Sequence, residues 1–200
     1  SDNGASPDAA PWPDKGGFNG FFRGELGDPT EGSIRTAGMI RWPDRIRPGK
    51  SNEMIAIHDF LPTLAAIVGA KLPQDRPYDG VDQSEFFLGR QQHSNREHLL
   101  TFVNNDIAAL RWRHYRIYPK SIRGSFNNPS QEGLLGVQVE KNGGPDVYNI
   151  EMDPREEISI GGDNAWVIGQ WLRLVAEYNQ SLKQYPNPPG VSLTDTSFGR

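Results

Sequence analysis

The sequence predicts an α+β protein in which a small antiparallel sheet is covered by one long amphipathic helix. Three short strand-like runs are separated by turn residues, a spacing typical of an antiparallel meander: Leu99–Val103, Ile107–Arg111 and His114–Tyr118. A further strand is expected at Asp146–Ile150. Apolar residues at three- and four-residue steps predict the helix over about residues 165–184: Ile168, Trp171, Leu172, Val175, Tyr178 and Leu182.

The part of the chain before this sheet is predicted to hold one strand and one helix among loops. Residues 1–33 have turn-forming residues every few positions, which disfavours helix and strand for most of that segment. Ala37–Trp42 is predicted as a short, largely buried strand. Asp59 is expected to cap a helix that has Pro62 in its first turn and ends at Gly69. One face of that helix is apolar: Leu61, Leu64, Ala65 and Val68.

The composition of the 200-residue chain excludes several functions. Its 21 Lys and Arg against 25 Asp and Glu give a net charge of −4, so neither nucleic acid nor an anionic membrane is expected as a partner. The lack of Cys excludes disulfides, thiolate nucleophiles and zinc–thiolate sites. The first residues lack a signal-peptide pattern and no run approaches about 18 apolar residues, so composition assigns no localisation.

Three motifs follow one another along the first third of the chain. The first is Ser1–Gly4, with an Asp-Asn pair, and the second is Arg23–Arg35, with an Arg-Gly pair and a Glu-Gly-x-x-Arg turn. The third is Ile57–Leu64, which contains Asp-x-x-Pro-Thr. In this order they resemble the C-terminal part of the sulfatase family, a branch of the alkaline-phosphatase superfamily. The second motif is followed by Met39–Pro43, which resembles the family's Trp-Pro strand end, and weaker landmarks lie at Gly80–Asp82 and Val147–Glu157.

The resemblance implies an α/β fold of the alkaline-phosphatase type, of which this chain holds a fragment. Residues 1–95 correspond to the end of the large parallel-sheet domain, residues 96–185 to a small C-terminal antiparallel sheet covered by a helix, and residues 186–200 to an extended tail. Family members carry their nucleophile, a Cys or Ser converted to formylglycine, in a Cys/Ser-x-Pro/Ala-x-Arg motif well before this point. That motif does not occur here, so we expect a C-terminal portion that is inactive alone and holds no catalytic residue.

The resemblance also implies that Asp2 and Asn3 are ligands of a calcium ion whose other ligands lie outside this chain. A carboxylate and an amide oxygen are the hard donors that Ca²⁺ prefers, but the ion takes about 6–8 oxygens, more than two residues supply. The alternative for this segment is a turn stabilised by the asparagine side chain before Gly4. No other cofactor-binding residue is predicted.

The implied function is hydrolysis of sulfate esters, with a sulfated small molecule or carbohydrate as the substrate. In the family mechanism one hydroxyl of the hydrated formylglycine attacks sulfur, the alcohol leaves and the second hydroxyl expels sulfate, while calcium acts as a Lewis acid. Two alternatives stay open, a phosphodiesterase or phosphonate hydrolase of the same superfamily and a non-catalytic binding module. Many relatives are exported, which favours a periplasmic or extracellular location.

Leu26 departs from the family pattern, because members often carry at this position a lysine that contacts the sulfate. A leucine side chain neither donates a hydrogen bond nor balances the charge of sulfate. Three explanations stay open: another cation such as Lys15 or Arg23 takes over, residues before this chain suffice, or the substrate differs.

For several other residues a structural interpretation is favoured over a functional one. Glu31 and Arg35 are expected to form an internal ion pair rather than a wall of a cleft. Asp59 is expected not to pair with His58, since adjacent helical residues point in different directions. The remaining histidines are expected to be structural or solvated. The first loop's aromatic residues either form an apolar rim or pin the loop to the core: Trp12, Phe18, Phe21 and Phe22. Trp166 and Trp171 belong to the predicted last helix and are expected to pack on the small sheet, and Tyr148 is expected in the core.

Overall fold

The computed structural model describes residues 3–5, 17–26, 28–103, 106–122, 138–139 and 143–187. Four of its strands form an antiparallel sheet: β1 (His98–Val103), β2 (Asp106–Trp112), β3 (Tyr115–Tyr118) and β6 (Asp146–Asn149). Their spatial order in the sheet is β1-β2-β3-β6. Two short strands pair separately, β4 (Ser121–Ile122) with β5 (Gln138–Val139). The predicted meander and the additional strand are confirmed, because β1, β2 and β3 pair in chain order and β6 pairs with β3.

One face of the four-stranded sheet is apolar. Its buried side chains are Leu110, Trp112, Ile117 and Val147. Helix α4 (Trp166–Gln184) covers this face, and its Val167 and Leu174 pack into the same cluster. The long covering helix that the periodicity predicts is therefore confirmed.

The edge of the buried stripe on α4 differs from the prediction. Leu172 is 63% exposed, whereas Leu174 is buried. The helix contacts the sheet along a narrow stripe that contains Val167, Trp171 and Leu174. Successive residues of a helix are about 100° apart, which puts Leu172 beyond that stripe. Three- and four-residue spacing therefore identified the helix but was wrong about Leu172.

The second face of the sheet is polar. Arg111 and Arg116 lie directly opposite each other across β2 and β3, and Tyr148 lies beside Arg116 on β6. A short helix, α1 (Glu31–Ile34), contacts both arginines, so the sheet lies between α4 and the N-terminal loops. The sequence placed α1 in a loop, because four residues are too few to show a helical period.

The segment between these loops and the sheet contains two more helices. A 3-10 turn (Ile57–Asp59) leads into α2 (Phe60–Val68), which ends at Gly69 with a left-handed φ of 69°, as predicted. The short helix α3 (Ser84–Phe87) follows. The apolar face of α2 points to solvent, while the side chains buried on the other side of the helix are Pro62 and Thr63. The exposed residues of that face are Leu61, Leu64 and Val68.

The strand predicted at Ala37–Trp42 is wrong. This segment forms no strand and finds no strand partner within the described residues, and Met39 is 93% exposed. A strand requires a hydrogen-bonded neighbour, which an apolar run does not supply by itself.

Parts of the predicted organisation lie outside the described residues. These are Asp2, residues 6–16 and the tail from residue 188. Within the ranges that the structure describes, no helix combines the length and the apolar character needed to cross a bilayer.

Candidate functional site

The first two sequence motifs meet at three glycines whose backbones touch, Gly4, Gly24 and Gly32, which we call the glycine junction. The Gly4 amide donates to the Ser33 carbonyl oxygen at 2.5 Å, and the Gly32 amide donates to the Arg23 carbonyl oxygen at 2.7 Å. A Cβ on Gly4 would lie 1.8 Å from the Gly32 oxygen, and a Cβ on Gly32 would lie 2.4 Å from the Gly24 oxygen. Only glycine fits such a close approach of backbones.

Asn19 holds the same region together. Its Oδ1 accepts a hydrogen bond from the Ala5 amide at 2.6 Å, and its Nδ2 donates to the Ala5 and Gly24 carbonyl oxygens at 2.9 and 3.0 Å. The Leu26 amide also donates to the Ala5 oxygen, at 3.1 Å. Asn19 was not among the residues predicted to matter, although an asparagine directly before a glycine often organises a turn.

Asn3, one of the two predicted calcium ligands, lies at this junction, whereas Asp2 is outside the described residues. The Asn3 side chain is half-buried, and its Nδ2 donates to the Gly4 carbonyl oxygen at 2.6 Å. An amide oxygen fixed in this way is a suitable hard donor for Ca²⁺. Among the described residues, however, no group of three or more His, Cys, Asp or Glu could hold a metal ion, so the donor type fits calcium but a complete site needs further ligands.

Glu31 connects the junction to the polar face of the sheet. Its carboxylate is fully buried, with Oε2 3.1 Å from Arg111 Nη1 and 3.5 Å from Arg35 Nη1, and with Oε1 3.4 Å from Arg116 Nη1. The predicted Glu31–Arg35 ion pair is confirmed as part of this larger group, which we call the Glu31 cluster. Like charges directly opposite on a sheet destabilise it, and the Glu31 carboxylate between the two sheet arginines offsets that repulsion.

Arg116 extends the cluster further. Its Nη2 donates to the Pro29 carbonyl oxygen and, at 2.8 Å, to Thr101 Oγ1. The Tyr118 hydroxyl donates to Glu156 Oε2, and Glu156 Oε1 accepts from the Glu31 amide at 3.3 Å. Burial raises the pKa of Glu156. Burial acts to lower the pKa of Arg116, but its charged and polar neighbours outweigh burial and raise that pKa.

The third motif forms a separate group around Asp59. Its carboxylate accepts hydrogen bonds from the amides of Ala56 and Val81, both at 2.8 Å, and from Arg96 Nε at 2.8 Å and Arg96 Nη2. Burial acts to raise the pKa of Asp59, but these donors outweigh it and the pKa is lowered. Asp59 directly precedes α2, yet its side chain makes no capping bond to that helix, so the predicted capping role is wrong. The carboxylate engages Arg96, and His58 is exposed.

Leu26 lies at the surface, 43% exposed. Of the two cations considered as substitutes for the family lysine, Lys15 lies outside the described residues, and Arg23 hydrogen-bonds to the Tyr148 side chain. Burial raises the pKa of Tyr148, and Arg23 acts in the opposite direction. The Arg23 guanidinium is therefore held against the sheet.

Of the loop aromatics, Phe22 makes a contact that favours the pinning role, and the apolar-rim role stays a prediction. The guanidinium of Arg35 lies 4.0 Å from the centre of the Phe22 ring, a cation–π contact that pins the loop. Phe18 and Phe21 are largely exposed, and Trp12 is outside the described residues.

The chain is similar to known sulfatases. It is 34% identical over 196 residues to steryl-sulfatase of Rattus norvegicus, covering 88% of this chain and 34% of that protein. It is 29% identical over 200 residues to human arylsulfatase H, covering 90% of this chain and 35% of that protein. The crystal structure of PsFucS1 sulfatase from Pseudoalteromonas sp. superposes with a TM-score of 0.83 at 28% identity, covering 94% of this chain and 37% of that one. No family model matches the sequence.

The sheet covered by α4 and the match to a sulfatase structure define a fragment of an α/β fold of the alkaline-phosphatase type. The chain spans about a third of the length of the curated relatives that it matches. It belongs to the sulfatase family and corresponds to the C-terminal portion of an arylsulfatase-type member.

Proposed function

We propose that the protein containing this chain hydrolyses sulfate esters of small molecules or carbohydrates by a calcium-assisted formylglycine mechanism. The observation that carries the proposal is the glycine junction, where the Asn3–Gly4 segment contacts the Arg-Gly pair and the Glu-Gly turn of the second motif. The names of the relatives support the same reaction class, since steryl-sulfatase and arylsulfatase H match most of the chain.

Within this proposal the chain contributes to calcium binding. Asp2 and Asn3 are the residues that would hold the ion, together with ligands outside residues 1–200. Calcium, when bound, supplies Lewis-acid stabilisation of negative charge on the sulfate group. The chain's own task is to hold the Asn3 amide in place, through its bond to Gly4 and the Gly4–Ser33 hydrogen bond.

The chain by itself is proposed to be inactive and to combine parts of two domains. It has no Cys/Ser-x-Pro/Ala-x-Arg sequence, and the proposal therefore assigns the nucleophile to a part of the polypeptide outside residues 1–200. Assigning residues 1–95 to a larger parallel-sheet domain is supported by the exposed Ala37–Trp42 segment and the exposed apolar face of α2, which both offer surface for burial. We assign residues 96–185 to the small sheet with its helix, and the assignment of residues 186–200 to an extended tail stays a prediction.

The test uses the full-length protein that contains this chain. Turnover of a chromogenic aryl sulfate and calcium affinity by titration calorimetry are measured for the parent, Asp2→Ala, Asn3→Ala and the exposed control Gln92→Ala. We expect each ligand variant to lose at least about tenfold in calcium affinity and in turnover, and the control to match the parent. Unchanged affinity and turnover in Asn3→Ala would contradict the metal role.

The same assay separates the alternatives. Faster hydrolysis of a bis-aryl phosphate than of the aryl sulfate would favour the phosphodiesterase. No turnover of either ester, with no nucleophile motif in the coding sequence upstream of residue 1, would favour a non-catalytic module. That last alternative is kept because Leu26 stands where many members carry a sulfate-binding lysine.

A further inference from the structure

The polar face of the sheet holds two arginines side by side. Arg111 and Arg116 are paired in register across β2 and β3, and their side chains are 14% and 0% exposed. Two buried positive charges at this spacing require a nearby negative charge, and Glu31 supplies one carboxylate oxygen to each arginine. The position of Glu31 is therefore set by the sheet rather than by the short helix to which it belongs.

A fixed Glu31 in turn fixes the segment that contains Asn3. Gly32 and Ser33 directly follow Glu31, and the Ser33 carbonyl oxygen accepts the hydrogen bond from Gly4. The Gly4 and Gly32 backbones are packed so closely that a Cβ on Gly4 would lie 1.8 Å from the Gly32 oxygen. A displacement of α1 must therefore move Gly4 or break its hydrogen bond.

We propose that Arg111 and Arg116 are positioning residues for the calcium-ligand segment, acting through Glu31 and α1. This inference rests on the proposed function, because it assigns them an effect on a site in which Asn3 is a ligand. The two arginines differ in their other contacts. Arg116 also donates to Pro29 and Thr101, whereas Arg111 donates from its Nε to the carbonyl oxygen of Arg113, two residues further along the chain. Arg111 is accordingly the better residue to test.

The experiment compares Arg111→Met, Arg111→Lys and the parent in the full-length protein. The matched control is Arg173→Met on α4, because Arg173 also contacts two carboxylates, Glu97 at 3.2 Å and Glu177 at 3.0 Å, but on the other side of the sheet. The readouts are calcium affinity, hydrogen exchange at the Gly4 amide, and kcat and KM with an aryl sulfate.

We expect Arg111→Met to weaken calcium binding about tenfold and to speed exchange at Gly4, with Arg111→Lys restoring part of both. The control should change neither quantity. Reduced thermal stability with unchanged calcium affinity and unchanged Gly4 exchange would overturn the proposal, because a merely structural arginine would behave in that way. Should Arg111→Met fail to fold, an Arg111→Lys variant identical to the parent in both readouts would also overturn it.

The two proposals fail in distinguishable ways. If Asn3→Ala leaves calcium affinity unchanged, the proposed function loses its metal role, and exchange at Gly4 still decides the positioning step. Faster exchange in Arg111→Met supports the link from the sheet to the junction, and unchanged exchange refutes it.

Discussion

Replacing Asp59 by Asn is expected to destabilise the protein by about 3–5 kcal/mol, the usual cost of removing one partner of a buried ion pair. The Asp59 and Arg96 side chains are 1% and 6% exposed, so the guanidinium charge stays buried after the substitution. The carboxylate also accepts the amides of Ala56 and Val81, and a buried amide without an acceptor costs about 1–3 kcal/mol. The oxygen of the introduced asparagine can still accept a hydrogen bond from one of these amides. The total loss of stability therefore stays near the range given for the ion pair.

The control is the ion pair between Asp75 and Arg76, whose Oδ2 and Nη2 atoms lie 3.1 Å apart. Both side chains are more than half exposed. Exposed pairs contribute about 0–1 kcal/mol, so Asp75→Asn should leave the free energy of unfolding nearly unchanged. The assay is urea unfolding of the purified protein at pH 7, with Arg96→Met and the double variant completing a mutant cycle. The double variant should lose less than the sum of the two single variants.

The stabilisation that Asp59 contributes should decrease as the pH is lowered. Because the pKa of Asp59 is lowered from its ordinary value of 3.8, the folded state binds its proton less readily than the unfolded state. The stabilisation is therefore complete above that ordinary value and is lost as pH falls through the folded-state pKa. The difference in the free energy of unfolding between the parent and Asp59→Asn should therefore shrink as the pH is lowered. A gap under about 1 kcal/mol at pH 7, or strict additivity in the cycle, would refute the reasoning.

Two further predictions concern the glycine junction and the Glu31 cluster. Gly4→Ala should destabilise by about 1–3 kcal/mol in urea unfolding, because its Cβ would overlap the Gly32 oxygen, whereas Gly162→Ala, with open space around it, should not destabilise. The Glu156→Gln substitution should remove the part of the pH dependence of stability that comes from titration of Glu156. The raised pKa of Glu156 means that the folded parent keeps its proton longer, so the parent loses stability as pH rises above the ordinary value of 4.5. Melting temperatures from pH 4 to 8 should show that decline in the parent and a weaker one in the variant.

The fold was predictable wherever the signal is local. The strands β1 to β3 and helix α4 follow from short-range spacing, which a sheet face and a helix stripe impose directly. The prediction failed at Ala37–Trp42, because a buried-looking run becomes a strand only if another strand pairs with it. It failed at Leu172 because spacing does not fix the edge of a stripe.

The candidate site was predictable only in part, because its contacts join distant parts of the chain. The four-residue spacing predicted the Glu31–Arg35 ion pair, which is confirmed. The family resemblance pointed to Asn3 as a calcium ligand, which stays a prediction. Glu156 is 125 residues from the amide it accepts, and Arg116 is 87 residues from Pro29. Neither contact leaves a local pattern, although an arginine in the middle of a buried strand signals a buried counter-charge.

The proposed boundary between residues 95 and 96 separates parts that share buried charges. Arg96 binds Asp59 across it, and Arg116 and Arg111 bind Glu31 across it. Separating the two parts would leave charged side chains on both sides without their partners. Each part therefore depends on the other to neutralise its buried charges. We therefore expect residues 1–95 and 96–185 to unfold in one calorimetric transition. Two separate calorimetric transitions in the parent, both unchanged in the Glu31→Gln variant, would show that the shared ion pairs do not couple the two parts.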